Sequence, residues 1–340
     1  MLRPTFCAAK PNVGPISLAL LALAAITAVS MAAAQPIVTT SPAYPAKPVR
    51  LVIPFAPGGP VDIVGRIVAL KLSDALGQQI IADNRAGANG NIALEIVAKS
   101  APDGYTLLMG ANGTNAINPS LYPRLPFDPV KDLAPIGMVA SSPMVLVAHP
   151  AVTAGSVREL IQFAKAKPGA ISFASSGSGS TAHLSGELFN DMAGVKFVHV
   201  PYKGAGPALT DLVGGQVQVM FTGISATLPY IRAGKLKALG VSSEKRQPVI
   251  PDVPAIAESL PGYEVTTWYG LFAPAKTPPA IIGLLNRALA KIFAAPDTRQ
   301  RFTALGADPI TTSPEQFAAT IRNDVAKWAK VIKGSGARAD

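Results

Sequence analysis

Twice in this chain a short apolar run leads through a glycine-rich turn into a segment with helical spacing, and this repeated grammar restricts the fold more than any other feature. The first unit starts at residues 49–54, turns at Pro57, Gly58, Gly59 and Pro60, and continues with Val61, Val64, Ile67, Val68, Leu72 and Ala75 on one helical face before Gly77 closes it. The second runs from residues 171–174 through Ser175, Ser176, Gly177, Ser178, Gly179 and Ser180 into a predicted helix at Thr181–Ala193, with Leu184, Leu188 and Met192 facing inward. Strands are predicted at residues 79–82, 105–109, 145–148, 196–200, 217–221 and 236–241, and helices at 91–99, 157–167 and 207–213. The helix at 157 opens with a capping box, Ser156 to Glu159. Such alternation predicts an α/β protein with a mainly parallel sheet covered by helices on both faces. Two glycine-loop units in separate halves suggest two α/β domains, each offering a loop and a helix N-terminus.

The C-terminal stretch reads as helical. Ile281, Leu285, Leu289 and Ile292 share a face, residues 297–305 form a short helix, and Ser313 to Gln316 is a capping box with Pro314 at the first helical position. The last helix is expected to bury Phe317, Ile321, Val325 and Trp328.

The N-terminus has a different grammar. Arg3 and Lys10 precede an apolar run at 16–29 and a small-residue site, Ala32, Ala33 and Ala34, before Gln35. That is the pattern of a secretory signal peptide over residues 1–34, removed on export. A permanent transmembrane anchor is the alternative, since residues 16–34 just suffice to span a bilayer. The single cysteine, Cys7, precedes the apolar run, so it is no lipoprotein anchor and the mature chain has no disulfide. With hydrophobic residues at 49% and charged ones at 15%, a large core can take over that work.

Several function classes lose support on the same inventory. His149, His183 and His199 lie far apart in sequence without a cysteine partner, so no metal is expected. Removing Arg3 and Lys10 lowers the formal charge from +10 to +8, spread singly along a chain with 6% aromatics. This predicts no nucleic-acid partner but a basic surface that steers anions.

Residues 177–182 match G-x-G-x-x-G/A as text, yet the following strand ends at His199, Val200 and Pro201 without the acid that would hold a ribose. Neither a P-loop nor G-x-S-x-G occurs, and no cofactor is expected. The first glycine loop, taken alone, reads as an ordinary βα connection, with Asp62 suited to helix capping rather than catalysis. His183 reads as a capping or hydrogen-bonding residue, Lys203 as a solvated lysine, and Trp268 and Tyr269 as core or hinge packing. The second loop is richer. Its hydroxyls and amides form an uncharged donor cluster able to hold a carboxylate.

Several stretches together resemble the Bug family, the periplasmic solute-binding receptors of tripartite tricarboxylate transporters: YPAKPVRLVIPFAPGGPVD, ADNRAGANGNIALEIVAKSAPDGYTLLMG, LYPRLPFDPVKDLAPI, SFASSGSGSTAHLSGELF, VPYKGAGPALTDLVGGQV and IPDVPAIAESLPGYEV. They cover essentially the whole mature chain in order. The resemblance implies a two-domain periplasmic binding protein, a Venus flytrap of type II-like α/β fold with two crossovers, near residues 141–144 and 266–270. Lobe I would comprise residues 35–143 and 267–340, and lobe II residues 144–266. A small carboxylate would be gripped by Phe55, Ala56, Pro57, Gly58, Gly59, Pro60 and Asp62 from one lobe and by Ser175, Ser176, Gly177, Ser178, Gly179, Ser180, Thr181 and His183 from the other. Asn112, Thr114, Asn115, Tyr202, Gly204, Ala205 and Thr222 would complete the cleft. The expected protein is a monomeric periplasmic receptor, not an enzyme, that serves membrane transporter subunits or reports to a sensor kinase. A secreted hydrolase-like enzyme using Ser180 or His183 is the rival reading. Two positions depart from the family habit: Gln218 stands where an acid is frequent, and Pro60 removes one amide donor from the first loop.

Overall fold

The computed structural model describes residues 5, 8–10, 44–122 and 124–335, so the cleavage site and the apolar run before it lie outside the described residues. Residues 1–43 and 44–340 form separate units, and the fold belongs to the second.

β1 (Val49–Ile53) feeds the first glycine loop and α1 (Pro60–Leu76). That helix ends on Gly77, left-handed at φ 67°, whose amide donates to the Ser73 carbonyl. β2 (Ile80–Asn84), α2 (Asn91–Ala98) and β3 (Thr106–Ala111) follow, then a π-turn at Gly113–Ile117 and the short α3 (Asn118–Leu121). After β4 (Leu133–Ala148) come α4 (Val157–Ala166), β5 (Ser172–Ser175), α5 (Thr181–Ala193), β6 (Val198–Pro201), α6 (Ala205–Val213), β7 (Val219–Gly223), α7 (Ile224–Arg232) and β8 (Lys237–Val241). β9 (Thr266–Pro274), α8 (Pro279–Ala294), α9 (Pro296–Thr303), β10 (Asp308–Pro309) and α10 (Pro314–Ser335) end the described chain.

The strands join in the order β2-β1-β3-β9-β4-β7-β5-β6, with β8 and β10 also paired to β4. The sheet is mixed, which corrects the mainly parallel expectation. Pairing is parallel among β1, β2 and β3 and among β5, β6 and β7, but antiparallel wherever β4 or β9 takes part. β4 is the central element. Its first part, to Pro143, pairs with β9, whereas Met144–Ala148 pairs with β7 and β8. The ladder in the first part is irregular at Pro135/Gly137 and Met138/Ala140, and the Asn286 side chain caps the freed Ile136 carbonyl at 2.8 Å.

Four apolar clusters cover the faces of this sheet. Val49, Leu51, Ile53, Val64, Val68 and Leu72 pack with Leu285 and Leu289, and on the opposite face Leu94, Leu108 and Ile117 pack with Phe272, Phe317 and Trp328. Around the second part of β4, Phe173, Phe189, Phe221 and Tyr263 form one cluster, and Val145, Leu209, Leu212 and Met220 another. The expected box at Ser313 closes, Ser313 and Gln316 exchanging bonds at 2.9 and 3.2 Å, whereas at Ser156 only half forms: Ser156 accepts the Glu159 amide at 3.2 Å, and the Glu159 carboxylate accepts the Gly155 amide at 2.7 Å instead. Two faces need correction. Ala75 is exposed, and in α5 the buried face includes Ala182, Leu184, Ser185, Phe189 and Ala193, with Leu188 and Met192 only partly covered.

Candidate functional site

The first residues of α1 and α5 line one small cavity. Gly59, Pro60 and Val61 come from the first loop, and Ser176, Ser180, Thr181 and Ala182 from the second. Phe55, Ala205 and Thr222 join them as expected, together with Ala111, Gly113, Met144, Gly223, Thr267 and Tyr269, which the sequence reading had not placed there. Its volume is about 50 Å³, room for roughly three or four waters. None of the residues lining it carries a charged side chain.

The remaining expected residues act from behind this lining. Asp62, at 4% exposure, accepts the Gly58 amide at 3.0 Å, the Asn84 amide at 2.8 Å and Arg66 Nε at 3.0 Å. Its carboxylate therefore shapes the loop, and the Gly58 N–H is already used. The Ala56 amide is likewise used, donating to the Lys203 carbonyl at 3.2 Å. This bond draws Ala56 and Pro57 against Gly204, Ala205 and Gly206. A Cβ on Gly204, whose φ is 141°, would lie 2.8 Å from the Ala56 nitrogen. Tyr202 turns its hydroxyl to Asp211 at 2.7 Å, and burial, reinforced by that carboxylate, pushes its phenol up to about 12. Lys203 is exposed and lies outside the cavity.

Asn112 ties three segments together. Its Oδ1 accepts the Gly113 amide at 3.1 Å, the Thr181 hydroxyl at 2.9 Å and the Thr267 hydroxyl at 2.6 Å. Thr181 thus spends its proton on structure. Thr114 bonds back to the Ala111 backbone, and Asn115 leaves its buried Nδ2 without a partner.

In the second loop, Gly177 and Gly179 are left-handed at φ 138° and 84°, and Ser180 caps α5 by accepting the His183 amide at 3.2 Å. The Ser180 hydroxyl proton remains free to point into the cavity it lines. Residues absent from the sequence reading cover this loop: a Cβ on Gly179 would meet Leu121 at 1.9 Å, and one on Gly177 would lie 3.4 Å from Asn89 Oδ1, which is buried without a partner. Asn89 holds φ 47°, and its Asn-Gly dipeptide was the available signal for such a turn. Ser175 is fully buried, and its Oγ accepts the Gly177 amide at 3.1 Å.

Tyr269 is 3% exposed with its ring on the cavity wall, so it is more than the core or hinge packing read from sequence. Burial pushes its phenol well above the ordinary range, so it presents an O–H donor. Gln218, at the position where an acid is frequent, accepts the Ser172 amide at 2.8 Å and the Ser172 hydroxyl at 2.6 Å, a backbone-bracing task that either side chain's oxygen can perform. A second, far larger groove of about 1360 Å³ is lined by α5, β6 and α10, with His183, Glu187, His199, Trp268 and Asp324 among its walls. No cluster able to hold a metal ion occurs among the described residues.

With this geometry in place, similarities to known proteins become informative. The chain is 40% identical over 297 residues to the protein BugT of Bordetella pertussis (strain Tohama I), covering 87% of this chain and 91% of that one. Its fold superposes on the periplasmic binding protein BugD with a TM-score of 0.84 at 36% identity, spanning 87% of this chain and all of that one. It also superposes on MatC from Rhodopseudomonas palustris with bound malate, with a TM-score of 0.81 at 36% identity over 85% of this chain and all of MatC. The fold is thus the two-domain α/β Venus flytrap of periplasmic binding proteins, and no helix among the described residues is long and apolar enough to cross a membrane. Residues 64–337 match the tripartite tricarboxylate transporter family receptor, and with a match over most of its length the chain belongs to that family.

Proposed function

We propose that this protein is a periplasmic receptor that closes around a small carboxylate and presents it to the membrane subunits of a tripartite tricarboxylate transporter. The observation that carries this reading is the convergence of two helix N-termini, from β1–α1 and β5–α5, with serine and threonine hydroxyls on one cavity free of charged side chains. Helix N-termini and neutral donors stabilise an anion without a buried cation and its desolvation cost. The MatC structure contains malate, which makes malate the first ligand to try. In this reading, among the described residues, the first lobe comprises residues 44–143 and 267–335 and the second residues 144–266. The partner switch in β4 at Pro143/Met144 and the pairing of Thr266 with Pro143 support those limits.

The same geometry argues against catalysis by Ser180 or His183. Ser180 Oγ accepts the His183 backbone amide, and His183 Nδ1 accepts the Gly179 amide at 3.0 Å, so the ring is not positioned to take the Ser180 proton. A monomer working without a cofactor suffices for this function, and a sensor kinase is the alternative destination for its signal. Export with cleavage after Ala34 completes the reading. Sequencing the N-terminus of protein from periplasmic extract is expected to start at Gln35 or within a few residues, and intact Met1 in the membrane fraction would refute it.

Mass spectrometry of small molecules released from the purified protein tests the ligand class directly. A bound carboxylate is expected, and a cationic or uncharged ligand would overturn the proposal. Two substitutions test how the anion is held. Ser180→Ala removes a hydroxyl donor and is expected to weaken malate binding about tenfold, whereas Lys203→Met, outside the cavity, should change it less than about threefold. Calorimetry showing the reverse order would place the anion on an ion pair instead.

A further inference from the structure

The side of the Ser175–Ser180 loop that faces away from the cavity rests on two histidines, a role that ligand binding alone does not explain. The rings of His183 and His199 stack with centroids 3.9 Å apart and planes 12° from parallel, and Phe173 lies beyond His199 at 4.9 Å. His183 Nδ1 accepts the Gly179 amide at 3.0 Å. That nitrogen must be bare to accept, so the ring proton sits on Nε2, which faces Glu187 at 3.6 Å. His199 Nε2 lies 2.7 Å from Ser175 Oγ, the same oxygen that accepts the Gly177 amide. The amides of both left-handed glycines in the loop are therefore anchored through this imidazole pair, one directly and one through a serine.

The two rings respond differently to a proton. If His199 is doubly protonated, Nε2–H can donate to Ser175 Oγ while the serine hydroxyl turns to the Gly177 carbonyl at 3.1 Å, so the loop keeps its bonds. If His183 is doubly protonated, Nδ1–H points at the Gly179 N–H, donor against donor, and the bond is lost. Charged groups surround the pair. Glu187, on the same helix and with Asn190 beside it, has its carboxyl held below the usual range chiefly by His183. The facing groove walls add Asp191, Glu264 and Asp324 against Lys196 and Lys327. A second cation stacked on the first meets direct repulsion.

We propose that His183 and His199 are positioning residues that make ligand retention proton-dependent: the loop holds its carboxylate while His183 Nδ1 is bare and releases it when that nitrogen is protonated. This rests on the carboxylate-binding reading of the loop.

The test compares wild type with His183→Asn, whose Oδ1 can accept the Gly179 amide but does not titrate. Malate affinity is measured by calorimetry at about pH 7.5 and about pH 5, and the ratio of the two proteins cancels the protonation of malate itself. Wild type is expected to lose roughly tenfold more affinity than the variant on acidification, each protein being compared with its own affinity at the higher pH. Equal losses would overturn the proposal, because a purely structural histidine gives no difference in pH profile. A second arm needs neither ligand nor variant: in wild type, amide exchange at Gly179, corrected for its intrinsic pH dependence, should lose at least about tenfold in protection at the lower pH while β4 amides keep theirs. Unchanged Gly179 protection would also overturn it. If malate fails to bind even at the higher pH, malate is excluded as ligand and the exchange arm alone decides the imidazole proposal.

Discussion

Replacing Gly206 with valine is expected to abolish ligand capture while leaving the protein folded. Gly206 lies in the first turn of α6, and a Cβ there would sit 1.9 Å from the Pro57 carbonyl oxygen. The nearest atoms beyond that oxygen are also in the first loop, Pro57 C at 3.1 Å and Gly58 C at 3.7 Å, so the severest clash falls between the two loops. Pro57 cannot yield easily, since the next amide is fixed on buried Asp62 and the preceding one on the Lys203 carbonyl. The loops must part, and with them the cavity walls that Gly59 and Ala205 share. An affinity loss above about 100-fold, equivalent to about 2.7 kcal/mol, is expected. Calorimetry with malate reads the loss, a thermal melt within a few degrees of wild type shows that the fold survives, and small-angle scattering should show no compaction with ligand. Wild-type affinity in the valine variant would mean that these loops do not close together on the ligand.

Asp62→Ala should cost the fold itself. The substitution leaves the Gly58 N–H without its acceptor and takes one of two acceptors from Asn84 Nδ2, which retains the Phe55 carbonyl at 2.9 Å. Arg66 loses its carboxylate partner but keeps Asn84 Oδ1 at 2.8 Å, and its side chain is 50% exposed, which limits that part of the loss. A hydrogen bond to a charged group contributes about 1.5 to 3 kcal/mol, so a loss of about 3 kcal/mol and a fall in Tm of about 5 °C are expected. Asp62→Asn keeps one acceptor oxygen for Gly58 and should lie between the alanine variant and wild type. An alanine variant as stable as wild type would show that the carboxylate does not hold the loop.

Where local grammar was undiluted, the sequence was a reliable guide. Both glycine loops, the helices after them and the caps at Ser156 and Ser313 follow from short-range chemistry, and all are present. β4 was legible only at its end, because Pro135, Gly137 and Pro143 are breaker signals locally, and only antiparallel pairing with β9 makes a strand of the segment. α7 was hidden by Pro229 inside it. At the site, residues on the two loops could be named in advance, but their division of labour could not. That Asn112 braces backbone, while Tyr269 and Met144 reach the cavity, depends on contacts between segments more than a hundred residues apart, such as Asn112 with Thr267, and Asp62 braces its loop together with Asn84, 22 residues on.

The place where β4 changes partners has a mechanical consequence. Pro143 has no N–H, so it holds no ladder bond from its nitrogen for rotation to break. On either side, hydroxyls add to the backbone pairing: Ser142 Oγ donates to the Gly306 carbonyl at 2.9 Å, and the Met144 amide donates to Ser242 Oγ at 2.7 Å. A hydroxyl can swing about its Cβ–O bond and keep its partner over a range of angles, which a peptide group cannot. If a ligand turns the two half-sheets about this continuous strand, the two hydroxyl bonds can persist through the turn, and Pro143 has no N–H to be left unpaired at the pivot.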